Sequence, residues 1–339
     1  MRLLILGGTE FAGRAVVDAA LARGWEVTVF HRGRHGAPPG VVELLGDRTE
    51  PDGLAALAEG TWDVVVDTWS AAPSAVRDSA RLLADRVGRY VYVSSCSVYA
   101  WPPVAAPDES APLVEAPLLE APSAARGAVD VPYEQAKRGG ELAALDAFGA
   151  DRTLLVRLGL LLGPRENVGR LPWWLERIAR GGAVLAPGPR ETPLQFIDVR
   201  DFAEWTLSAA TAGLHGPYNL VSPPGHSTME ELLTECVRVT GATAELRWTD
   251  PAPILAAGVV PWSGLPIWVP QAEAAELHRA VYGLGVAKAL ASDLSCRPAA
   301  ETVADTWAWL QSVGGSAPLR PDRPAVGIDP SVEAEILGL

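Results

Sequence analysis

The sequence predicts an α/β protein built on a doubly wound parallel sheet, with a smaller region towards the C-terminus. Three observations carry this prediction. An apolar run at the N-terminus breaks at glycines and resumes with helical periodicity. Apolar runs then alternate with helical segments to about residue 165, which favours right-handed crossovers and a parallel sheet. Beyond about residue 171 the pattern becomes irregular.

The first strand, turn and helix predict a dinucleotide site. Glycines such as Gly7 let the backbone approach a diphosphate, and the N–H groups at the start of the helix attract it. A second strand over residues 26–30 ends in a basic loop, where His31 and His35 are expected on the surface. Where an NAD-binding chain usually has an acid for the ribose, this chain has Arg32, with Arg34 nearby. A guanidinium would pair with a 2′-phosphate, so we expect NADP(H) rather than NAD(H).

The next elements follow the same alternation. A short strand over residues 41–45 closes at Asp47, which is placed to meet the adenine. A strand over 62–67 ends at Thr68 and Trp69, and a strand over 89–95 runs into a serine cluster. Ligands of such sheets bind at the carboxyl ends of the strands, so these residues should face the site. The predicted flanking helices cover 74–86 and 131–145, and a later one covers 300–310 before a Pro-rich tail.

The predicted division is a dinucleotide-binding domain over residues 1–165 and a second region over 166–339. A segment of about 194–222 is expected to return to the main sheet. The stretch from 100 to 132 is dominated by Ala, Pro and Glu, and we interpret it as a mobile flap over the active site.

Composition narrows the function classes. The 339 residues are 48% hydrophobic, enough for a large core, and the net charge of −13 disfavours nucleic acid as a partner. The three cysteines are dispersed and lack metal-ligand spacing, which suits a reducing cytoplasm. No run approaches the roughly 20 apolar residues of a membrane helix. A cytoplasmic enzyme without a metal site is the expectation.

The residues that carry chemistry are Tyr133, Lys137 and Ser95. Tyr133 and Lys137 are four apart at the start of a helix and so share a face. An adjacent ammonium favours a phenolate, so Tyr133 would move the proton on the substrate oxygen. Ser95, at a strand end, would hydrogen-bond that oxygen, and Lys137 would also hold the nicotinamide ribose. Spacing of this kind also arises by chance on solvated helix faces.

In these motifs the chain resembles the extended short-chain dehydrogenase/reductases of the NAD-dependent epimerase/dehydratase group. The matching segments are residues 7–13, Asp47, 94–99, 133–137, 157–165, 196–201 and 218–219. The resemblance implies a Rossmann domain with a smaller substrate-binding region, and dimerisation through the helices near 74–86 and 134–148. It places the catalytic serine at Ser95, with Ser94 and Ser97 as second choices.

Two departures from the family pattern narrow the function. Glu10 stands where the family usually has a third glycine, and would repel a diphosphate unless it swings outward or meets a cation such as Arg14 or Arg32. Leu160 stands where the nucleotide-sugar enzymes usually carry an Asn, which implies a less charged substrate. The predicted pocket residues are Trp69, Cys96, Trp101, Leu160, Trp173 and Trp174. For any one tryptophan, ordinary core packing is the alternative, and Cys96 is more simply a small core thiol.

The leading hypothesis is an NADP(H)-dependent oxidoreductase that interconverts a ketone and an alcohol on a small, largely apolar metabolite. An epimerase or dehydratase that oxidises its substrate transiently is one alternative, and a non-catalytic NADP(H)-binding sensor or scaffold is another. The predicted cofactor contacts are Gly7, Thr9, Phe11, Ala12, Gly13, Arg32, Asp47, Arg48, Thr68, Lys137 and Leu158.

Overall fold

A computed structural model describes residues 1–116 and 131–339. The central part of the predicted flap, 117–130, lies outside the described residues. The strands are β1 (Arg2–Leu6), β2 (Glu26–His31), β3 (Val42–Leu45), β4 (Trp62–Asp67), β5 (Val87–Ser95), β6 (Thr153–Leu158), β7 (Leu160–Leu162), β8 (Gly182–Pro187), β9 (Pro193–Leu194), β10 (Phe196–Asp198), β11 (Gly216–Leu220), β12 (Ser227–Thr228), β13 (Ala244–Thr249), β14 (Pro261–Trp262) and β15 (Leu265–Pro266). The helices are α1 (Phe11–Ala22), α2 (Pro73–Leu83), α3 (Tyr133–Phe148), α4 (Arg170–Ala179), α5 (Val199–Thr211), α6 (Met229–Thr240), α7 (Pro251–Ala256), α8 (Ala275–Tyr282), α9 (Ala287–Leu290), α10 (Ala299–Ser312) and α11 (Pro330–Leu337).

The predicted fold class is confirmed. In the described part of the chain, seven strands form one parallel sheet in the order β11-β6-β5-β4-β1-β2-β3. The central strands are buried on both faces, as their unbroken apolar runs indicate. The strand order reverses between β1 and β4, and such reversals open a crevice at the carboxyl ends of the strands.

The described residues divide into two compact units. The first comprises 1–159, 200–220 and 285–295, and the second comprises 160–199, 221–284 and 296–339. Strand β11 joins the edge of the large sheet by pairing with β6, and so brings 200–220 into the first unit. The first unit thus ends its opening segment at residue 159, six residues before the predicted boundary, and gains 285–295.

The second unit has its own core and small strand pairs. Strands β7 and β10 pair in parallel, as do β8 and β13. Its largest buried side chains are Trp174 and Trp268, whose indole N–H groups donate to the carbonyls of Pro266 and Gly188. The irregular sequence here reflects short elements that no single periodicity describes. The Pro-rich tail contains α11, which begins with Asp329 as N-cap and a proline in its first turn.

The segment after β5 is anchored in its described part. Tyr99 and Leu113 form an antiparallel bridge, and the N–H of Ala100 donates to Pro112 at 2.8 Å. Residues 98–114 are therefore tied to one another by backbone hydrogen bonds at both ends of this loop, and the flap over 100–132 stays a prediction. Among the described residues, no helix is both long and apolar enough to cross a membrane.

Glu166 caps helix α4 from within the core of the second unit. Its side chain is fully buried, and its carboxylate accepts the N–H groups of Arg170 at 2.7 Å and Leu171 at 3.0 Å. Burial raises the pKa of Glu166 to about 7, against the opposing effects of the Arg170 charge and the backbone hydrogen bonds.

This shift makes stability depend on pH. The unfolded chain releases the Glu166 proton near pH 4.5, whereas the folded protein holds it to about pH 7. The folded state then binds more protons, so the free energy of unfolding falls as pH rises between these values, by roughly 3 kcal/mol at most. Glu166→Gln should remove this slope in urea unfolding at a series of pH values. Glu59→Gln, at an exposed glutamate, is the control, and an unchanged slope in Glu166→Gln would contradict the assignment.

Candidate active site

The carboxyl ends of the parallel strands meet along one edge of the large sheet. Leu6 is paired with Phe30 on one side and with Asp67 on the other, and Ser95 is paired with Leu158. The residues that follow these strand ends are therefore neighbours. The predicted cofactor contact Leu158 lies half-buried at this edge.

The turn after β1 is shaped for close backbone approach. Gly7 has φ +116°, and a Cβ there would lie 2.3 Å from Thr68 Oγ1. A Cβ on Gly13 would lie 2.6 Å from the backbone nitrogen of Gly8. Thr68 is also tied to this turn, because its hydroxyl donates to the carbonyl of Leu6 at 3.0 Å. The glycines thus hold strand, turn and helix in contact.

Helix α1 begins beneath this turn with its amides uncapped by side chains. Glu10 is its N-cap residue but makes no side-chain capping hydrogen bond, and the first turn carries no acid. Thr9 lies in the turn, and Phe11 and Ala12 are half-buried at the helix start. The residues present fit a dinucleotide diphosphate, since a helix N-terminus attracts anions and the glycine turn has no Cβ to exclude one.

Glu10 lies near the basic loop that follows β2. His35 Nε2 lies 3.4 Å from the Glu10 carboxylate, and Arg14 pairs with Asp18 at 2.8 Å. The expectation that Glu10 swings outward or meets a cation such as Arg14 or Arg32 stays a prediction. The imidazole links the turn to the basic loop after β2.

His31 is buried, which corrects its predicted surface position. Strand β2 extends through His31, whose Nδ1 accepts the N–H of Gly33 at 3.1 Å. Its Nε2 lies 2.9 Å from Glu43 Oε1 on the neighbouring strand β3. Arg32 follows as the first residue beyond the strand and is exposed. The basic loop therefore presents Arg32 rather than either nitrogen of the His31 ring.

Asp47 lies within the field of the basic loop. Its Oδ1 accepts the amide of Thr49 at 3.0 Å and the hydroxyl of Thr49 at 2.7 Å. Partial burial disfavours its charge, but these bonds and the charges of Arg32 and Arg34 hold the pKa of Asp47 below its usual value. The carboxylate at the predicted adenine position is therefore ionised and close to Arg32.

Arg48 does not present its side chain to a cofactor. It is 5% exposed and forms a two-bond ion pair with Asp67, at 2.6 and 2.7 Å. Its guanidinium also donates to the hydroxyl of Ser79 and packs over the ring of Trp69. This corrects the prediction of Arg48 as a cofactor-binding side chain, because a partner on the next strand of the chain takes up its charge.

Lys137 is held at the carboxyl edge of the sheet. Its Nζ donates to the carbonyls of Trp69 and Val93, both at 2.6 Å, and lies 5.1 Å from the centre of the Tyr92 ring. Only 3% of Lys137 is exposed. Tyr133 is the first residue of α3, one turn before Lys137, and is 37% exposed. The helix therefore places an accessible tyrosine one turn before a buried lysine.

The serines that follow and end β5 have different hydrogen-bond partners. Ser95, at the end of β5, accepts the N–H of Ser97 at 3.1 Å, and the two hydroxyls are 3.0 Å apart. Ser94 donates to the buried carboxylate of Glu141 at 2.7 Å, which ties it to the interior. Ser95 therefore remains the first choice and Ser97 the second.

Cys96 takes the structural role given as its alternative. Its thiol is buried and donates to the carbonyl of Arg157 at 3.2 Å, and burial raises its pKa well above the usual range. A buried, protonated thiol is a poor nucleophile. The position of Cys96 in the wall of the substrate pocket stays a prediction.

The predicted aromatic walls fall into different environments. Trp101 is 58% exposed, and Trp69 is half-buried with its indole N–H on the carbonyl of Ala72. Trp174 has no exposed surface and lies in the core of the second unit, so its predicted role as a wall is not met. Trp173 packs edge-on against it and is half-buried. Leu160 is 5% exposed and pairs with Phe196.

Sequence reasoning missed a buried polar cluster behind the site. Arg157 on β6 donates twice to Glu141 of α3, at 2.9 and 3.0 Å. Asn219 accepts the hydroxyl of Tyr99 at 2.5 Å and donates to Pro107 at 3.1 Å. The sequence could have indicated this cluster through Arg157, because a charged residue inside the apolar run of β6 requires a buried partner.

Comparisons with known proteins show the family and the fold. The model of the NAD dependent epimerase/dehydratase family matches residues 3–220. Among solved structures, the Bordetella bronchiseptica enzyme WbmH in complex with NAD+ has 18% identity and a TM-score of 0.66, and covers 92% of this chain and 99% of its own. The Thermus thermophilus UDP-glucose 4-epimerase complex with NAD has 21% identity and a TM-score of 0.61, with 92% and 99% covered. The Bacillus anthracis dTDP-glucose 4,6-dehydratase in complex with NAD has 15% identity and a TM-score of 0.64, with 94% and 100% covered. A search of curated protein sequences found no match.

Proposed function

Since the chain belongs to the NAD dependent epimerase/dehydratase family, whose members are enzymes, we propose that it interconverts an alcohol and a ketone with a nicotinamide dinucleotide. The observation that carries this proposal is the placement of Lys137. A buried ammonium held by two carbonyls, one helical turn from an exposed phenol, is a device for ionising that phenol. The bound dinucleotide would supply or accept the hydride.

The proposed roles of Tyr133, Lys137 and Ser95 follow from the proton that each side chain can give, take or share in a hydrogen bond. Tyr133 takes the proton from a substrate hydroxyl, or returns it to a carbonyl oxygen. Lys137 stabilises the phenolate and holds the nicotinamide ribose. Ser95 donates a hydrogen bond to the substrate oxygen as negative charge develops there. The turn of residues 7–13 would hold the diphosphate, and Asp47 would meet the adenine.

We propose a small, largely apolar substrate. The support is Leu160, a buried leucine within β7, where related nucleotide-sugar enzymes usually carry an Asn. Such a surface lacks a polar partner for a sugar diphosphate. The roles given to Trp69, Trp101 and Trp173 in a substrate pocket stay predictions.

A second candidate, an epimerase or dehydratase, fits equally well. It is favoured by the family description and by solved neighbours that are epimerases and a dehydratase. The deciding experiment incubates the purified protein with each dinucleotide and a panel of small ketones, alcohols and nucleotide sugars. A reductase changes the nicotinamide absorbance in proportion to product, whereas an epimerase or dehydratase forms product with no net change. If no member of the panel is converted although the dinucleotide binds, the non-catalytic sensor is favoured.

The cofactor preference has its own test. The NADP(H) prediction depends on the exposed Arg32, and the NAD-bound neighbours do not support it. If it holds, NADPH should raise the melting temperature more than NADH at equal concentration, because a ligand that binds only the folded state stabilises it. Arg32→Ala should then erase the difference, while Arg14→Ala, in a helix pair with Asp18, should leave it. A larger shift with NADH in the wild-type protein would establish NAD(H).

Two further predictions concern the assembly and its compartment. A homodimer is expected through α2 and α3, which are joined within one copy by the Arg81–Asp146 ion pair at 2.9 Å. Light scattering of the purified protein tests it. The cytoplasmic location is inferred from the dispersed cysteines.

A further inference from the structure

The ion pair between Arg48 and Asp67 lies directly behind the proposed catalytic lysine. Arg48 Nη1 donates to Asp67 Oδ1 at 2.6 Å, and Nη2 donates to Oδ2 at 2.7 Å. The arginine is fixed further by the carbonyl of Ala75 at 3.0 Å and the hydroxyl of Ser79 at 2.5 Å, both on α2. Asp67 has no exposed surface, and its pKa is lowered because Arg48 and its hydrogen bonds outweigh burial.

Asp67 in turn fixes the loop that follows β4. Its Oδ1 accepts the backbone N–H of Trp69 at 2.9 Å, and its Oδ2 accepts the hydroxyl of Tyr90 at 2.5 Å. The indole N–H of Trp69 donates to Ala72 at 2.9 Å, so the residue is held at both its backbone and its ring. These two bonds hold the backbone nitrogen and the ring of Trp69, and so restrain the residue whose carbonyl accepts Lys137.

The carbonyl of Trp69 is one of the two that hold Lys137. It accepts Lys137 Nζ at 2.6 Å and the hydroxyl of Tyr92 at 3.1 Å. A Cβ on Gly140 would lie 2.2 Å from that hydroxyl, so α3 packs directly on Tyr92. One hydrogen-bonded chain therefore runs from Arg48 through Asp67 and Trp69 to Lys137.

We infer that Asp67, fixed by Arg48, is a positioning residue for Lys137, and that it sets the ionisation of Tyr133 through the Trp69 carbonyl. The inference rests on the proposed function, in which Lys137 serves Tyr133. The inference explains why Arg48, which directly follows the predicted adenine-binding residue Asp47, points into the interior. A displaced Trp69 carbonyl would leave the ammonium without one of its acceptors, and Lys137 would no longer be held against α3 beside the phenol.

The test is a pH titration of the Tyr133 phenolate by near-ultraviolet absorbance, without cofactor. The chain has six tyrosines, and the other five are buried, so subtracting the same background with Tyr133→Phe isolates this signal. Two double variants form a matched pair without buried charge: R48M/D67N keeps an oxygen acceptor for the Trp69 amide, and R48M/D67L removes it. Replacing a buried ion pair by groups of similar volume is often tolerated.

The expected result is that R48M/D67L moves the phenolate signal to higher pH by at least half the shift seen in Lys137→Met, while R48M/D67N stays close to the wild type. Loss of a charge beside a titrating group moves it by about one pH unit or more. Tyr90→Phe, which leaves the Trp69 amide bond to Oδ1 in place, should also stay close to the wild type. If R48M/D67L does not fold, R48M/D67V, with a β-branched residue suited to a strand, removes the same acceptor and should give a shift in the same direction.

Three outcomes overturn the inference. If Lys137→Met shifts the signal but neither R48M/D67L nor R48M/D67V does, Asp67 does not position Lys137, and the proposed function is untouched. If R48M/D67N shifts as far as R48M/D67L, the Trp69 amide is not the route. If Lys137→Met itself leaves the signal where it was, the proposed roles of Tyr133 and Lys137 fail together with the inference.

Discussion

Replacing Tyr133 by phenylalanine should lower the turnover number by about two to four orders of magnitude, with the dinucleotide affinity unchanged. A positioned acid or base contributes about 10²–10⁴ to a rate, and the phenylalanine ring keeps the packing while losing the proton. Tyr133 is well placed for this role because it is 37% exposed beside the buried Lys137. The measurement is steady-state turnover of whichever substrate the panel identifies, with the dinucleotide dissociation constant from fluorescence titration.

Tyr282→Phe is the matched control for this substitution. It makes the same chemical change at a tyrosine that is buried in the second unit and donates to the carbonyl of Ile267. We expect its turnover number to stay near the wild-type value. If Tyr133→Phe and Tyr282→Phe turn over alike, Tyr133 is not the acid or base, and the alternative of a cofactor-binding protein without catalysis gains support.

The sheet could be predicted because its cause is local. Val64, Val65 and Val66 are consecutive and all buried, so both faces of their strand are covered. An unbroken apolar run of this kind is typical of a strand in a parallel sheet. The same holds for the glycine turn, where Gly7 adopts a positive φ against Thr68. Both signals lie within a few residues of the structure that they predict.

Side-chain environments could not be predicted in this way, because their partners are distant in the chain. Arg48 at a strand end looks like a cofactor ligand until Asp67 is seen to meet it. His31 looks like a loop residue until β2 is seen to extend through it beside Glu43. In each case the sequence shows a polar group near the carboxyl end of a strand. Whether that group faces the crevice or the interior depends on partners that are distant in the chain.

Trp174 illustrates the same limit for apolar groups. Trp173 and Trp174 are adjacent on α4, and on a helix adjacent residues point about 100° apart. One of them therefore enters the core, where Trp174 donates to Pro266, while the other is half-buried. A pair of neighbouring tryptophans predicts one buried ring and one at the margin, and only packing identifies which is which.

The buried pair behind the serine cluster should be a large contributor to stability. Arg157 and Glu141 are 2% and 0% exposed, and they join β6 to α3 beneath Ser94. Burial disfavours the charge of Arg157, but the hydrogen bonds and charge of Glu141 raise its pKa overall. Arg157→Met leaves the carboxylate buried without its main partner, which costs about 3–5 kcal/mol in comparable cases.

The prediction is sharpest as a double-mutant cycle measured by urea unfolding. Arg157→Met and Glu141→Met should each lower the free energy of unfolding by about 3 kcal/mol or more, whereas the double variant should lose much less than the sum, because no charge is then left unpaired. The remaining bond of Arg138 to Glu141, at 2.9 Å, should soften the first of these losses. The Arg81–Asp146 pair, which joins α2 to α3 with side chains 61% and 53% exposed, is the control and should couple by about 1 kcal/mol or less. Additive losses at Arg157 and Glu141 would mean that each residue stabilises the fold through other contacts, and the pair would then not be what holds the serine-bearing strand end against α3.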